Sequence, residues 1–233
     1  MCSNYRPVTQ MDRLLTYFGV ELAPGDSTAP DIWPLGLAPF IRLAHEGSGN
    51  REALVGHFGL VPHFAKELAF GKRSYNARSE TVATLPSFRD AWRRSQRCIV
   101  PAEAIFEPCW ETGRAVRWRI ERPDGIPMGI AGIYASWRDP EGKERHTFAM
   151  LTVNADGHPV FGRMHRPDDE KRIVVILDPQ QYDEWLTCRL ADAPTFFRQW
   201  TKPLHAEADP LPPRVKAPTP PKRIDPETGE LFD

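Results

Sequence analysis

The chain opens Met1-Cys2-Ser3-Asn4-Tyr5-Arg6-Pro7. If Met1 is removed, Cys2 carries a free α-amine and a thiol on one residue, a 1,2-aminothiol. The amine can condense with an aldehyde to an imine, and the thiol can then close that imine to a thiazolidine. An α-amine has an ordinary pKa of about 7.7–8.0, so an appreciable share is neutral and nucleophilic near neutral pH. Small residues commonly follow an initiator methionine, so Cys2 alone carries no function; three further segments bear on the question.

The first is Ser74-Tyr75-Asn76-Ala77-Arg78-Ser79-Glu80-Thr81, preceded by His57-Phe58-Gly59-Leu60-Val61-Pro62. Asn76 offers an amide that both donates and accepts, and Arg78 a planar fork suited to phosphate. An asparagine turn followed by a surface arginine would read the same way. The second is the apolar run Arg97 to Pro108, in which Glu107 lies between Phe106 and Pro108. A desolvated carboxyl there could exchange protons with a substrate, whereas most strand-end glutamates are simply solvated. The third, Asn154 to Pro167, holds His158 and His165, side chains that titrate near neutrality. Loop histidines are more often incidental than catalytic.

Several elements must position these groups. Residues 9–19 predict an amphipathic helix, with Met11, Leu14, Leu15 and Phe18 on one face, Thr9 and Asp12 as a capping pair and Gly19 as its stop. A Pro/Gly-rich loop is expected from Ala23 to Pro39. Ser87 to Gln96 reads as a second helix capped by Ser87 and Asp90, and a third starts at Asp178-Pro179. Strands are expected at Cys98–Phe106, Val116–Ile120, Met128–Trp137, Thr147–Val153 and Ile173–Leu177. Turn-like joins such as Pro123-Asp124-Gly125 favour hairpins over crossovers. The expected fold is α+β: a single domain of largely antiparallel, curved or barrel-like sheet with peripheral helices over residues 2–200, followed by a Pro-rich, disordered tail over 201–233.

The length of 233 residues suits one sizeable core. The four cysteines include no C-x-x-C, which favours reduced thiols over a zinc site or a disulfide framework, and no metal or other cofactor is expected. No apolar run approaches a membrane span and no signal pattern opens the chain, so the expectation is a cytoplasmic protein without a membrane partner. The formal charge of −1 argues against indiscriminate polyanion binding, although Arg89, Arg93, Arg94 and Arg97 crowd one stretch.

Taken together, Met-Cys at the start, Gly59-Leu60-Val61-Pro62, Asn76 to Thr81, and Arg97-Cys98-Ile99-Val100-Pro101-Ala102-Glu103 leading into Phe106-Glu107 resemble the SRAP family. These are the SOS-response-associated abasic-site processing proteins, also described as peptidases. The resemblance covers roughly residues 2–200. It implies a covalent sensor of abasic sites in single-stranded DNA, with the sugar aldehyde captured on mature Cys2; a monomer is expected, although no residue pattern bears on it. It implies further that Asn76 holds the reacting N-terminus or sugar oxygen, that Glu107 transfers protons and that Arg78 contacts phosphate. In one register Phe161 falls where the family has histidine. Taking Arg166 to Lys171 as an insertion makes His165 the family residue, with His158 as the alternative. Ser3 and Asn4 depart from the usual Gly-Arg, Arg6 standing in for the arginine, and Phe58 replaces a tryptophan that could stack on a base. Pro34 completes the expected DNA contacts.

Two other functions fit the same residues. One is a cysteine-type peptidase, acting on its own Met1, with Cys2, His165 and Asn76 as nucleophile, base and orienter. Another is a non-covalent single-stranded nucleic-acid binding module built from Arg78, Phe58 and the arginines near 89–97.

Overall fold

A computed structural model describes residues 2–23, 29–44, 49–212, 223–224 and 231–232. In chain order the elements are β1 (Asn4–Pro7), α1 (Met11–Phe18), β2 (Leu37–Leu43), β3 (Arg51–Phe58), β4 (Asn76–Arg78), α2 (Arg89–Arg93), β5 (Arg97–Cys109), β6 (Val116–Glu121), β7 (Met128–Arg138), β8 (Glu144–Asn154), β9 (Arg172–Val174), β10 (Ile176–Leu177), α3 (Tyr182–Thr187) and β11 (His205–Ala208). A two-strand ladder pairs Arg223–Ile224 with Leu231–Phe232.

Five strands close on themselves in the order β2, β3, β8, β7, β5, with β5 returning to β2 through Ile41 and Ile99. Closure removes the exposed edges that an open sheet of this size would carry. The interior is aromatic. Phe40 of β2 meets Tyr134 of β7, strands that are not neighbours, and Phe148 of β8 packs on both Phe40 and Phe58. Long apolar runs explain why β5, β7 and β8 are central: β5 and β7 are buried along nearly their whole length and β8 from Thr147 to Val153.

The expectation of one barrel-like, mostly antiparallel domain holds. Two pairings are parallel, β3 with β8 and β4 with β8, each between strands separated in the chain by several other elements and not joined by a hairpin. The segment read as a loop to Pro39 already contains the start of β2, paired antiparallel with β3 from Leu37 to Leu43.

Helix ends differ in detail. Val8 is still tied in extended backbone to the Pro101 carbonyl, so α1 begins later than Thr9, with Gln10 as an N-cap that makes no side-chain bond. Gly19 ends α1 in the left-handed region (φ 68°), as the composition predicts. At α2 the cap is Phe88, and the Asp90 carboxylate turns to Arg93 and His63 instead. The Asp178-Pro179 start does form a capping box with Gln181.

The boundary at residue 200 moves outward. His205–Ala208 pairs with β6, and Asp209 is bound to Arg117 through backbone and side chain. An edge strand needs only backbone partners, so its polar sequence did not announce it. The Pro-rich stretch 213–222, read as a disordered tail, lies outside the described residues. Among the described residues no helix is long and apolar enough to cross a membrane.

Candidate active site

β5 is the spine of the site. Its first half belongs to the barrel, while its second half runs on past the barrel wall and pairs with β1 on one side and β6 on the other. β1 therefore carries the N-terminus alongside Glu107: Asn4 lies opposite Phe106 and Tyr5 opposite Ile105. Cys2, two residues before this ladder, is 1% exposed. Its carbonyl accepts a 2.7 Å hydrogen bond from Asn76 Nδ2, and its thiol donates to the Asn4 carbonyl at 3.6 Å. The Asn76 Oδ1 is buried and has no hydrogen-bond partner among the described residues.

Asn76 reaches Cys2 because β4 is laid parallel on β8, Asn76 against Met150 and Arg78 against Thr152. That short strand is clamped from outside the barrel. Arg172 of β9, whose side chain is 1% exposed, makes two 2.9 Å bonds to Glu80 and a 2.7 Å bond to the Thr152 carbonyl. The Glu80 carboxyl is held below the usual range, chiefly by this arginine.

Glu107 and His165 form a buried pair, Oε2 to Nε2 at 2.9 Å. The histidine arrives from the loop after β8, pinned by its backbone N–H to the Pro108 carbonyl at 2.7 Å. Its φ of 64° is a left-handed conformation that side-chain-bearing residues rarely hold, and such strain persists where surrounding contacts impose it. His158 is elsewhere. Its Nδ1 accepts the backbone N–H groups of Val160 and Phe161, so Nε2 carries the proton and donates to the Trp200 carbonyl. Phe161 is fully buried against the His158 ring.

The electrostatics couple these groups. Burial pushes the Cys2 thiol well above the ordinary thiol range, and the charge of Glu107 pushes it further. Burial likewise raises the Tyr75 phenol, with Cys2 and Glu107 adding to the shift. Tyr5 is raised by burial, then by Cys2 and Cys98. Cys2, Tyr5, Tyr75, Glu107 and His165 thus share one poorly solvated neighbourhood, floored by the barrel aromatics through Phe58.

The expected DNA contacts separate. Arg78 is 44% exposed and paired with Glu170 at 2.7 Å. Pro34 sits in the turn between Ile32 and β2. Arg6 is half-exposed, bound to Asp31. Strand alternation sets Arg6 on the Phe106 face of the sheet, away from Glu107. The stacking role expected of Phe58 is corrected: its ring is 0% exposed, in contact with Tyr5, Tyr75 and Phe148, so no base can reach it without opening the core. Arg97, counted in the basic cluster, is also buried and donates to the Trp185 and Cys188 carbonyls.

Asn4 and Arg117 escaped the sequence reading. The Arg117 guanidinium lies 3.4 Å over the Phe106 ring and donates to Asn4 Oδ1 at 2.9 Å and Asp31 Oδ2 at 2.7 Å. Asn4 Nδ2 in turn donates to the Ile32 carbonyl. This network locks β1, two residues beyond Cys2, in register. Arg117 alternates with apolar residues along β6, and only the fold reveals it as a stacked, partly buried cation. Among the described residues no group of three or more His, Cys, Asp and Glu is placed to hold a metal.

The matches to other proteins extend over most of the chain. The abasic site processing protein YoqW of Bacillus subtilis (strain 168) is 27% identical over 217 residues, 89% of each chain. The abasic site processing protein HMCES of Gallus gallus is 26% identical over 171 residues, 64% of this chain and 48% of that one. A crystal structure of a Bordetella bronchiseptica protein aligns with a TM-score of 0.83 at 38% identity, over 90% of this chain and 100% of the other. A Bacteroides thetaiotaomicron protein shares the fold at a TM-score of 0.74 and 20% identity, over 89% and 91% of the two chains. The family model described as SOS response associated peptidase (SRAP) matches residues 1–218, and the chain belongs to that family.

Proposed function

We propose that this chain processes abasic sites in DNA by capturing the ring-opened sugar covalently on Cys2 after Met1 is removed. Relatives carrying the name abasic site processing protein support the substrate. The observation that carries the chemistry is the 2.7 Å bond from Asn76 to the Cys2 carbonyl, which holds the N-terminal residue beside the buried Glu107–His165 pair.

The steps balance without a cofactor. An abasic deoxyribose is mostly a closed hemiacetal, and proton transfer by Glu107 and His165 opens it to the aldehyde. The neutral Cys2 amine adds to the carbonyl carbon; loss of one water, with a proton delivered to the departing oxygen, leaves the imine. The thiol sulfur then adds to the imine carbon while its proton passes to the nitrogen. The product is a thiazolidine, and one water is released overall. Asn76 Oδ1 is suited to accept from the amine N–H, and Arg78 to hold a phosphate of the single strand. An imine also permits β-elimination, so slow strand cleavage is a side reaction of the same intermediate.

The raised thiol favours this order of events over a peptidase led by sulfur. A buried thiol next to a carboxylate is a poor source of thiolate, whereas an amine needs only to be neutral. Incubation of Met1-free protein with a single strand bearing one abasic site should give an adduct that survives a denaturing gel, and the intact strand should give none. Cys2→Ser should retain an imine that borohydride traps but lose the stable adduct. Equal behaviour of abasic and intact strands, with no covalent product, would refute the proposal.

A further inference from the structure

We propose that Glu170 is a built-in competitor for the strand phosphate at Arg78, and so sets how tightly the protein holds single-stranded DNA before capture. This inference builds on the function proposed above. The Glu170 carboxylate bridges two guanidinia: Oε2 accepts from Arg78 at 2.7 Å and Oε1 from Arg172 at 2.8 Å. A phosphodiester likewise spreads one negative charge over two terminal oxygens, so it would bind Arg78 in the same way and must displace the carboxylate to do so.

The two arginines are not equivalent. Arg172 keeps two bonds to Glu80 and one to the Thr152 carbonyl if Glu170 leaves, so the clamp behind Asn76 survives. Arg78 is 44% exposed, and Glu170 is its carboxylate partner among the described residues. The competitor is also placed to move. Residues 166–170 are all exposed, and the segment is anchored at its ends by the His165 backbone bond to Pro108 and by Lys171 Nζ, which donates to the Met164 carbonyl. Glu170 falls within the stretch Arg166 to Lys171, which counts as an insertion in the register that makes His165 the family histidine. This segment carries a negative charge to Arg78, the one cation on β4.

The test is the affinity for a fluorescein-labelled single strand that lacks any aldehyde, measured by anisotropy at low salt. Releasing an exposed ion pair predicts that Glu170→Gln binds about two- to five-fold tighter than the unmodified protein, with the gain fading as ionic strength rises. Asp168→Asn, which removes a charge from the same segment without touching the Arg78 pair, should give a smaller gain. In an Arg78→Ala background Glu170→Gln should give no more than the small gain of Asp168→Asn. Equal or weaker binding by Glu170→Gln, no measurable binding by either protein, or the same gain without Arg78 would overturn the proposal. Glu170→Ala serves as a second variant, and a thermal melt checks that each is folded. Adduct formation on an abasic strand is scored separately: missing adducts with an intact Glu170 effect would refute capture on Cys2 while leaving this competition standing.

Discussion

Asn76→Ala removes a single hydrogen bond, and the structure indicates what that bond holds. The Cys2 carbonyl is buried, and Asn76 Nδ2 is its partner at 2.7 Å. Cys2 lies outside the β1 ladder, which begins at Asn4, so little else in the backbone fixes it. Orphaning a buried carbonyl costs roughly 1–3 kcal/mol, equivalent to a factor of about 5 to 150 between docked and undocked N-termini. Because residues 2 and 3 can swing out alone, the cost should appear as local opening and not as global unfolding. Two readouts should move in opposite directions, thiol alkylation by up to the whole factor and adduct formation only as far as the undocked state becomes populated. Single-turnover adduct formation on a saturating abasic strand should slow, and alkylation of the Cys2 thiol should accelerate, with the half-buried Cys188 as internal reference. Asn76→Asp should be worse, since a carboxylate would face the carbonyl in place of a donor. Adduct rates within two-fold of the unmodified protein, with Cys2 still shielded, would refute the idea that Asn76 docks the N-terminus.

Glu107→Gln preserves shape but cannot shuttle a proton, so adduct formation should slow by roughly 10²–10⁴ with little change in melting temperature; His165→Ala should act on the same step, and the pair should combine less than additively. Phe58→Ala should destabilise by roughly 3–5 kcal/mol, read as a fall in denaturation midpoint, because it empties a core site. A folded Phe58→Leu protein should keep its single-strand affinity, and losing it would restore the stacking role. His158 is held below its ordinary range by burial, only partly countered by the Trp200 carbonyl. Its folded-state value lies under its unfolded one, so its contribution to stability is present above about pH 6.5 and is lost as pH falls below that. His158→Gln should flatten the loss of stability between about pH 7 and 5, and an unchanged slope would count against it.

The parts of the fold that could be read in the chain are those where burial is written locally. β5, β7 and β8 are long apolar runs, and the expected strands fall inside them. β2 was hidden by Pro39 and a loop-like approach, and β4 by its length of three residues, since only pairing with β8 makes it a strand. β11 is an edge strand tied by its backbone, which side-chain patterning cannot signal. In the site, Cys2, Asn76, Glu107 and His165 stood out by type, and the resemblance sorted them from incidental residues. What brings them together did not stand out, because the Asn4–Arg117–Asp31 network and the Arg172–Glu80 clamp link residues up to 113 positions apart. Phe58 shows the converse: an aromatic beside a functional motif reads equally as a stacking platform or as core, and only its burial decides.

The central claim is that amine and thiol of one residue together close on a sugar aldehyde. Intact-mass spectrometry tests this most directly, applied to Met1-free protein before and after incubation with a single strand carrying one abasic site. The predicted product weighs the sum of protein and strand less one water, resists borohydride without gaining mass, and carries its crosslink on the peptide that begins at Cys2. An unmodified protein mass, or a crosslink that maps to a lysine and leaves Cys2 free, would contradict it.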